Sequence, residues 1–243
     1  SMPNGNNLHR IIVFRDDIDK TSQTLPFSAL QSDKPEDSWN YLKKYEDKTG
    51  GKVLAIPHNA NMSNGQMFAM TNSKGEPIDQ SYAERKANWE PLTEVVQAKG
   101  SSESHPYLSP NDEFANQNIF SWDKANMTFS EMKKSKMLEF EYARGALKNG
   151  LLMKEKLGVN PYKFGMIGST DSHTSMSSAD DKNYYGKYSS QSINKNRASD
   201  KSERHGTHYR MGWEFLAAGY AAVWAKSNSR KDIWDAMKRK EVY

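Results

Sequence analysis

Twice along this chain a helical stretch stops on glycine, a short run of apolar residues follows, and a histidine or an Asp-x-His pair closes the run. The first unit starts at Ser32-Asp33-Lys34-Pro35-Glu36, with a capping residue, proline in the first turn and acids at the positive end of the helix dipole. Trp39, Leu42 and Tyr45 follow at helical spacing, Gly50-Gly51 stops the helix, and Val53-Leu54-Ala55-Ile56 reads as a buried strand ending in Pro57-His58-Asn59. The second unit is longer. Thr128-Phe129-Ser130-Glu131 is a capping box that predicts a helix over 129–157, with a bend or break near 149 where Gly145 and Gly150 interrupt the pattern. Gly158 and Pro161 end it, a strand is predicted over 164–169, and Asp171 and His173 come next. Strands apolar on both faces lie in sheets covered by helices, so the pattern predicts an α/β fold. In such folds the chemistry gathers at the carboxyl ends of the strands.

Asp171 and His173 are two apart, and in extended chain that spacing sends both side chains to one side. Carboxylate oxygen with imidazole nitrogen suits zinc, manganese or iron, so the pair reads as metal ligands, with His58 as a further candidate. The competing reading is a polar turn for the pair and a structural histidine at 58. Further strands are predicted over 10–15, 92–96 and 220–225, and a final helix from Ser229. Glu94 is a carboxylate inside an apolar run and needs a partner if buried. Beyond it Lys99, Glu103 and His105 stand in a Gly/Ser-rich cluster that, taken singly, reads as a solvated turn. The polar tract 175–207 has no periodicity and reads as a long insertion over the site. His205 and His208 close it, three apart, in a basic segment better read as solvated than as a ligand pair.

Composition removes several classes. Aromatic residues make up 11% of the 243, which argues against general disorder. The absence of cysteine excludes disulfides and thiolate metal sites. A net charge of +4 without a concentrated basic stripe gives no reason to expect nucleic acid. No run approaches the ~18 apolar residues of a membrane span. The start, Ser1-Met2-Pro3-Asn4, has no apolar leader and reads as a trimmed beginning, which leaves the compartment open between cytoplasm and periplasm.

Several motifs together carry a resemblance. They are Ile56-Pro57-His58-Asn59-Ala60-Asn61, Lys99-Gly100-Ser101-Ser102-Glu103, the segment from Gly158 to Gly165, Gly168-Ser169-Thr170-Asp171-Ser172-His173-Thr174, and the stretch from Ala222 to Lys240. Over nearly its whole length the chain resembles the bacterial domain of unknown function 3604, which is similar to the PHP (polymerase and histidinol phosphatase) superfamily. That resemblance implies a distorted (βα) barrel that holds divalent metal ions at its strand ends and hydrolyses small-molecule phosphoesters. Asp171 and His173 match the final D-x-H motif, and His58 matches the strand-end histidine. On the same basis Asn59, Lys99, Glu103 and Arg210 are candidates to orient substrate, and His105 or His208 to protonate the leaving oxygen. The His-x-His pair of the superfamily's first strand is missing here. The expectation is therefore a single α/β domain over 1–243 that forms the C-terminal part of a barrel, binds metal weakly, turns over slowly or not at all, and self-associates through exposed sheet edges. The alternative is a non-catalytic module for a glycan or an acidic polymer, suggested by the Ser/Asn/Tyr-rich tract and the mild positive charge.

Overall fold

A computed structural model describes residues 5–117, 119, 122–173, 195–196, 198–205, 208–215 and 219–243. β1 (Arg10–Phe14) and β2 (Val53–Pro57) form an antiparallel pair, with Arg10 opposite Pro57 and Phe14 opposite Val53. Between them run α1 (Ile18–Thr21) and α2 (Pro35–Thr49). Proline opens α2, Glu36 and Asp37 occupy its first turn, and Gly50 closes it in the left-handed region at φ 62°.

Side-chain alternation divides β2 between two cores. Val53 and Ala55 pack under Trp39, Leu42 and Tyr45 of α2 and Trp89 of α3 (Gln80–Trp89). Leu54 and Ile56 face the other way, against Leu92, Ile167 and Trp234. The second sheet carries those partners. β3 (Leu92–Gln97) runs parallel to β5 (Gly165–Gly168), with the register shifting between Glu94 and Val96, and β4 (Gly100–Ser101) folds back on the end of β3. Trp234 comes from α6 (Arg230–Lys238), whose first turn is capped by the Ser229 hydroxyl accepting from the Asp232 amide. Among the described residues the sheets are separate and open, and no helix there is long and apolar enough to cross a membrane.

Three stretches differ from the sequence expectation. The helix predicted over 129–157 is two pieces, α4 (Ser135–Leu138) and α5 (Ala143–Leu157). Phe129 sits at φ 55°, and the Thr128 hydroxyl bonds Asn126 and Ser130 instead of capping a helix. Gly145 and Gly150 do not break α5; they let other chain pack on it. A Cβ at Gly145 would lie 2.6 Å from the Glu139 carbonyl, and one at Gly150 2.2 Å from the Asn160 side chain. The strand predicted over 220–225 shrinks to one antiparallel bridge, Val223 with Val242, flanked by paired Ala222–Tyr243 backbone bonds. Of the expected polar insertion, residues 175–194, 197 and 206–207 lie outside the described residues. Its later part holds β6 (Lys201–His205), which pairs with β7 (His208–Met211).

Candidate functional site

Three strand ends meet at one point. β2 ends in His58 and Asn59, β3 carries Glu94 and leads into Lys99, and β5 runs out through Ser169 to Asp171 and His173. Two residues adopt left-handed backbone to turn there, Asn59 at φ 57° and Asp171 at φ 53°. Asparagine and aspartate tolerate that region better than most residues, and such strain gathers at functional sites.

Glu94 answers the question its position raised. Its side chain is 2% exposed. One oxygen lies 2.6 Å from His58 Nδ1 and accepts from the Ser169 hydroxyl at 2.5 Å, and the other accepts from the Asn59 amide at 3.3 Å. An ionised carboxylate only accepts, so this pattern places a proton on His58 Nδ1 and leaves Nε2 facing the other way. His58 Nε2 points at Asp171 Oδ1, 3.4 Å off, and His173 Nε2 lies 3.2 Å from the same oxygen. The Lys99 ammonium bonds Asp171 Oδ2. Asp171 is thus the hub: two imidazole nitrogens on one oxygen and a cation on the other, with only 8% of its side chain exposed.

His9 is a member of this group that strand-end reasoning passed over. β1 is antiparallel to β2, so the amino end of β1 lies beside the carboxyl end of β2. The His58 amide donates to the His9 carbonyl at 3.0 Å, and the two rings stack with centroids 6.2 Å apart. His9 is the exposed member, yet the protein on its inner side lowers its pKa, first by loss of solvent and then through positive charges nearby that include Lys99 and Arg10. It therefore stands as a neutral imidazole at neutral pH.

The other sequence candidates lie in different clusters. Glu103 forms a half-exposed pair with Arg144, which also holds Asp112. Arg210 pairs with Glu214 at 2.8 Å, and its guanidinium lies over the rings of Trp122 and Phe129. His105 faces Asp123 at 3.4 Å and packs on Tyr142. The backbone of His208 belongs to β7, while its side chain lies outside the described residues.

One of these clusters supports the site from behind. The Lys133 ammonium bonds the Asn61 carbonyl and the Glu141 carboxylate, both at 2.5 Å, and Glu141 also accepts from the Gly65 amide. This braces the turn that follows His58. Burial pushes the Glu141 carboxyl up from 4.5 to about 7, against the pull of Lys133. A raised folded-state pKa gives stability that is complete below about 4.5 and is lost as pH rises through about 7. Thermal melts are therefore expected to show about 1–3 kcal/mol of stability lost over that window, and Glu141→Gln to flatten the profile. An unchanged profile in the variant would assign the pH dependence elsewhere.

The site's donors suit a divalent cation. Bonds of about 2.1 Å to one ion, at 90–110°, place neighbouring ligand atoms roughly 3.0–3.4 Å apart. The two separations at Asp171 Oδ1 fall in that range. The Glu94 contact to His58 Nδ1 has the form of the carboxylate–imidazole bond that orients histidines in metal sites generally. Among the described residues no group of three or more His, Asp or Glu side chains is placed to hold a metal ion. The ligand types come as two pairs that share Asp171.

A family model described as "Protein of unknown function (DUF3604)" matches residues 1–243. No curated protein and no solved structure gives a significant match.

Proposed function

The chain belongs to the DUF3604 family of proteins of unknown function, and from that premise we propose that it carries the site of a metal-dependent hydrolase acting on phosphoesters. The observation that carries this reading is the convergence of His58 Nε2 and His173 Nε2 on a single oxygen of Asp171. Two imidazole nitrogens facing one carboxylate oxygen are bridged either by their own ring protons or by a cation. His58, Asp171 and His173 would hold the ion. Once bound, a divalent ion lowers the pKa of water and polarises phosphoryl oxygens. Glu94 fixes the tautomer and angle of His58. Lys99 offsets the charge of Asp171 and offers a cation to an anionic substrate, while the Asn59 amide group, 3.4 Å from His58 Nε2, adds a hydrogen-bonding partner. The same reading takes the strands around this point as part of a distorted βα barrel of the PHP type.

Calorimetric titration of metal-stripped protein with Mn²⁺ and with Zn²⁺ is the direct test. Saturable binding is expected, weakened by more than about 100-fold by His173→Ala, beyond what loss of an outer-shell group costs. Binding that ignores both His173→Ala and Asp171→Ala would sink the ligand assignment. Metal-stimulated release of phosphate from a simple phosphomonoester would then show the reaction.

A second reading has one observation in its favour. Trp224 and Tyr243 are 69% and 65% exposed, with ring centroids 5.3 Å apart. Exposed paired rings suit a sugar face, as a non-catalytic glycan-binding module would need. On that reading Trp224→Ala abolishes retention on a glycan column and Asp171→Ala leaves it intact.

A further inference from the structure

Among the described residues β1 has β2 as its one strand partner. Along its other side lies a cleft of about 810 Å³, closed by the segment between α1 and α2 and by the start of α2. This volume is in the range of small-molecule sites, which are mostly apolar with a few placed polar groups. Ile12, Phe14, Phe27 and Tyr41 supply apolar and aromatic walls, and the Phe27 and Tyr41 rings stack with centroids 5.8 Å apart. Thr24 lines the cleft as well, and its hydroxyl oxygen is buried with no hydrogen-bond partner. That oxygen is closed off from solvent, so Thr24 meets the cleft with its other atoms and adds to the wall's shape. The cleft also reaches the site already described, because His9 lines it and stacks on His58.

We propose that this cleft binds the aryl portion of the substrate, a planar aromatic group. The ester end would be presented past His9 to the His58–Asp171 group. The placement rests on the phosphoester reading, but the aryl site is testable without it. Aromatic walls favour flat rings, which gain offset-stacked and edge contacts beyond simple burial.

The probe is 1-naphthol, the alcohol half of an aryl phosphate, followed by its own fluorescence against metal-stripped full chain. Saturable binding is expected. Ala29→Trp, which puts a large ring into the cleft from an exposed position of its wall, should weaken it at least about tenfold. Phe27→Ala, which removes one of the two stacked wall rings, should weaken it several-fold. Melting curves of both variants confirm that they fold. No binding by the wild type, or binding indifferent to both changes in folded variants, overturns the proposal. The two readings fail separately. Naphthol binding in a protein that takes up no Mn²⁺ or Zn²⁺ keeps the cleft and rejects the hydrolase. Metal-stimulated hydrolysis of methyl phosphate in a protein that does not bind naphthol does the reverse.

Discussion

Replacing Glu90 by alanine is expected to destabilise the protein by about 3–5 kcal/mol, enough to unfold much of it at 37 °C. The carboxylate sits where α3 ends, with 2% of its side chain exposed. It accepts from Arg10 Nε and Trp39 Nε1 at 2.8 Å each, and from Lys86 Nζ at 2.7 Å. Burial alone would raise its pKa, but Arg10 and Lys86 outweigh burial and lower it from 4.5 to about 2. Lys86 moves down as well, because it is buried and shares one carboxylate with a second cation. The two shifts agree once charges are counted: two cations surround one anion, which holds the anion ionised while Lys86 has to share it with Arg10. Alanine would leave both cations without their anion, with only 6% and 3% of the Arg10 and Lys86 side chains exposed. Lys86→Met is the comparison. It keeps an Arg10–Glu90 pair of matched charge and is expected to cost under about 2 kcal/mol, mainly for the lost bond to the Met67 carbonyl. A depressed carboxylate pKa gives stability that is complete above 4.5 and lost as pH falls through about 2. Urea melts of the three proteins at neutral pH decide the matter. Near-equal losses for Glu90→Ala and Lys86→Met would mean that packing, not charge balance, sets the cost.

How much of this was legible in the sequence follows the range of each interaction. The α2–β2 unit is local: proline and acids at one end, glycine at the other, then an apolar run. His58, Asp171 and His173 were legible for the same reason, since a strand's carboxyl end is fixed by its own residues. Lys99 and Asn59 were reached as neighbours of those ends. His9 was not, because its place depends on the antiparallel pairing of β1 with β2, which no local pattern encodes. Glu94 was visible as a charge in need of a partner, but nothing nearby said that the partner is His58 across the strand gap. Arg210 and Glu103 illustrate the opposite problem. Their residue types suit substrate binding, yet each is engaged by a counter-charge elsewhere, Glu214 in one case and Arg144 in the other. The helix over 129–157 misled because helical spacing continues through a segment that Phe129 and the 139–142 turn divide.

The largest effect at the site is expected from Asp171→Asn, with Glu94→Gln as its measure. Asp171 joins everything: two imidazole nitrogens at Oδ1 and the Lys99 ammonium at Oδ2. The amide has nearly the same shape but no charge, and can accept through only one of its two atoms. Mn²⁺ or Zn²⁺ affinity is expected to fall by more than about 100-fold, beyond the 10–100-fold typical of losing an outer-shell group. Glu94→Gln should lie inside that lower range. It keeps an acceptor for His58 Nδ1 while removing the charge that makes the 2.6 Å contact strong. A confounding effect has to be separated. Lys99 has 4% of its side chain exposed, so Asp171→Asn also removes a counter-charge from a buried cation and destabilises the fold. Adding Lys99→Met to Asp171→Asn should restore much of that stability and none of the metal affinity. Recovery of metal binding in the double variant would mean that Asp171 acts by neutralising Lys99 and not by ligation, and would reassign the hub of the site from a metal ligand to a structural anion.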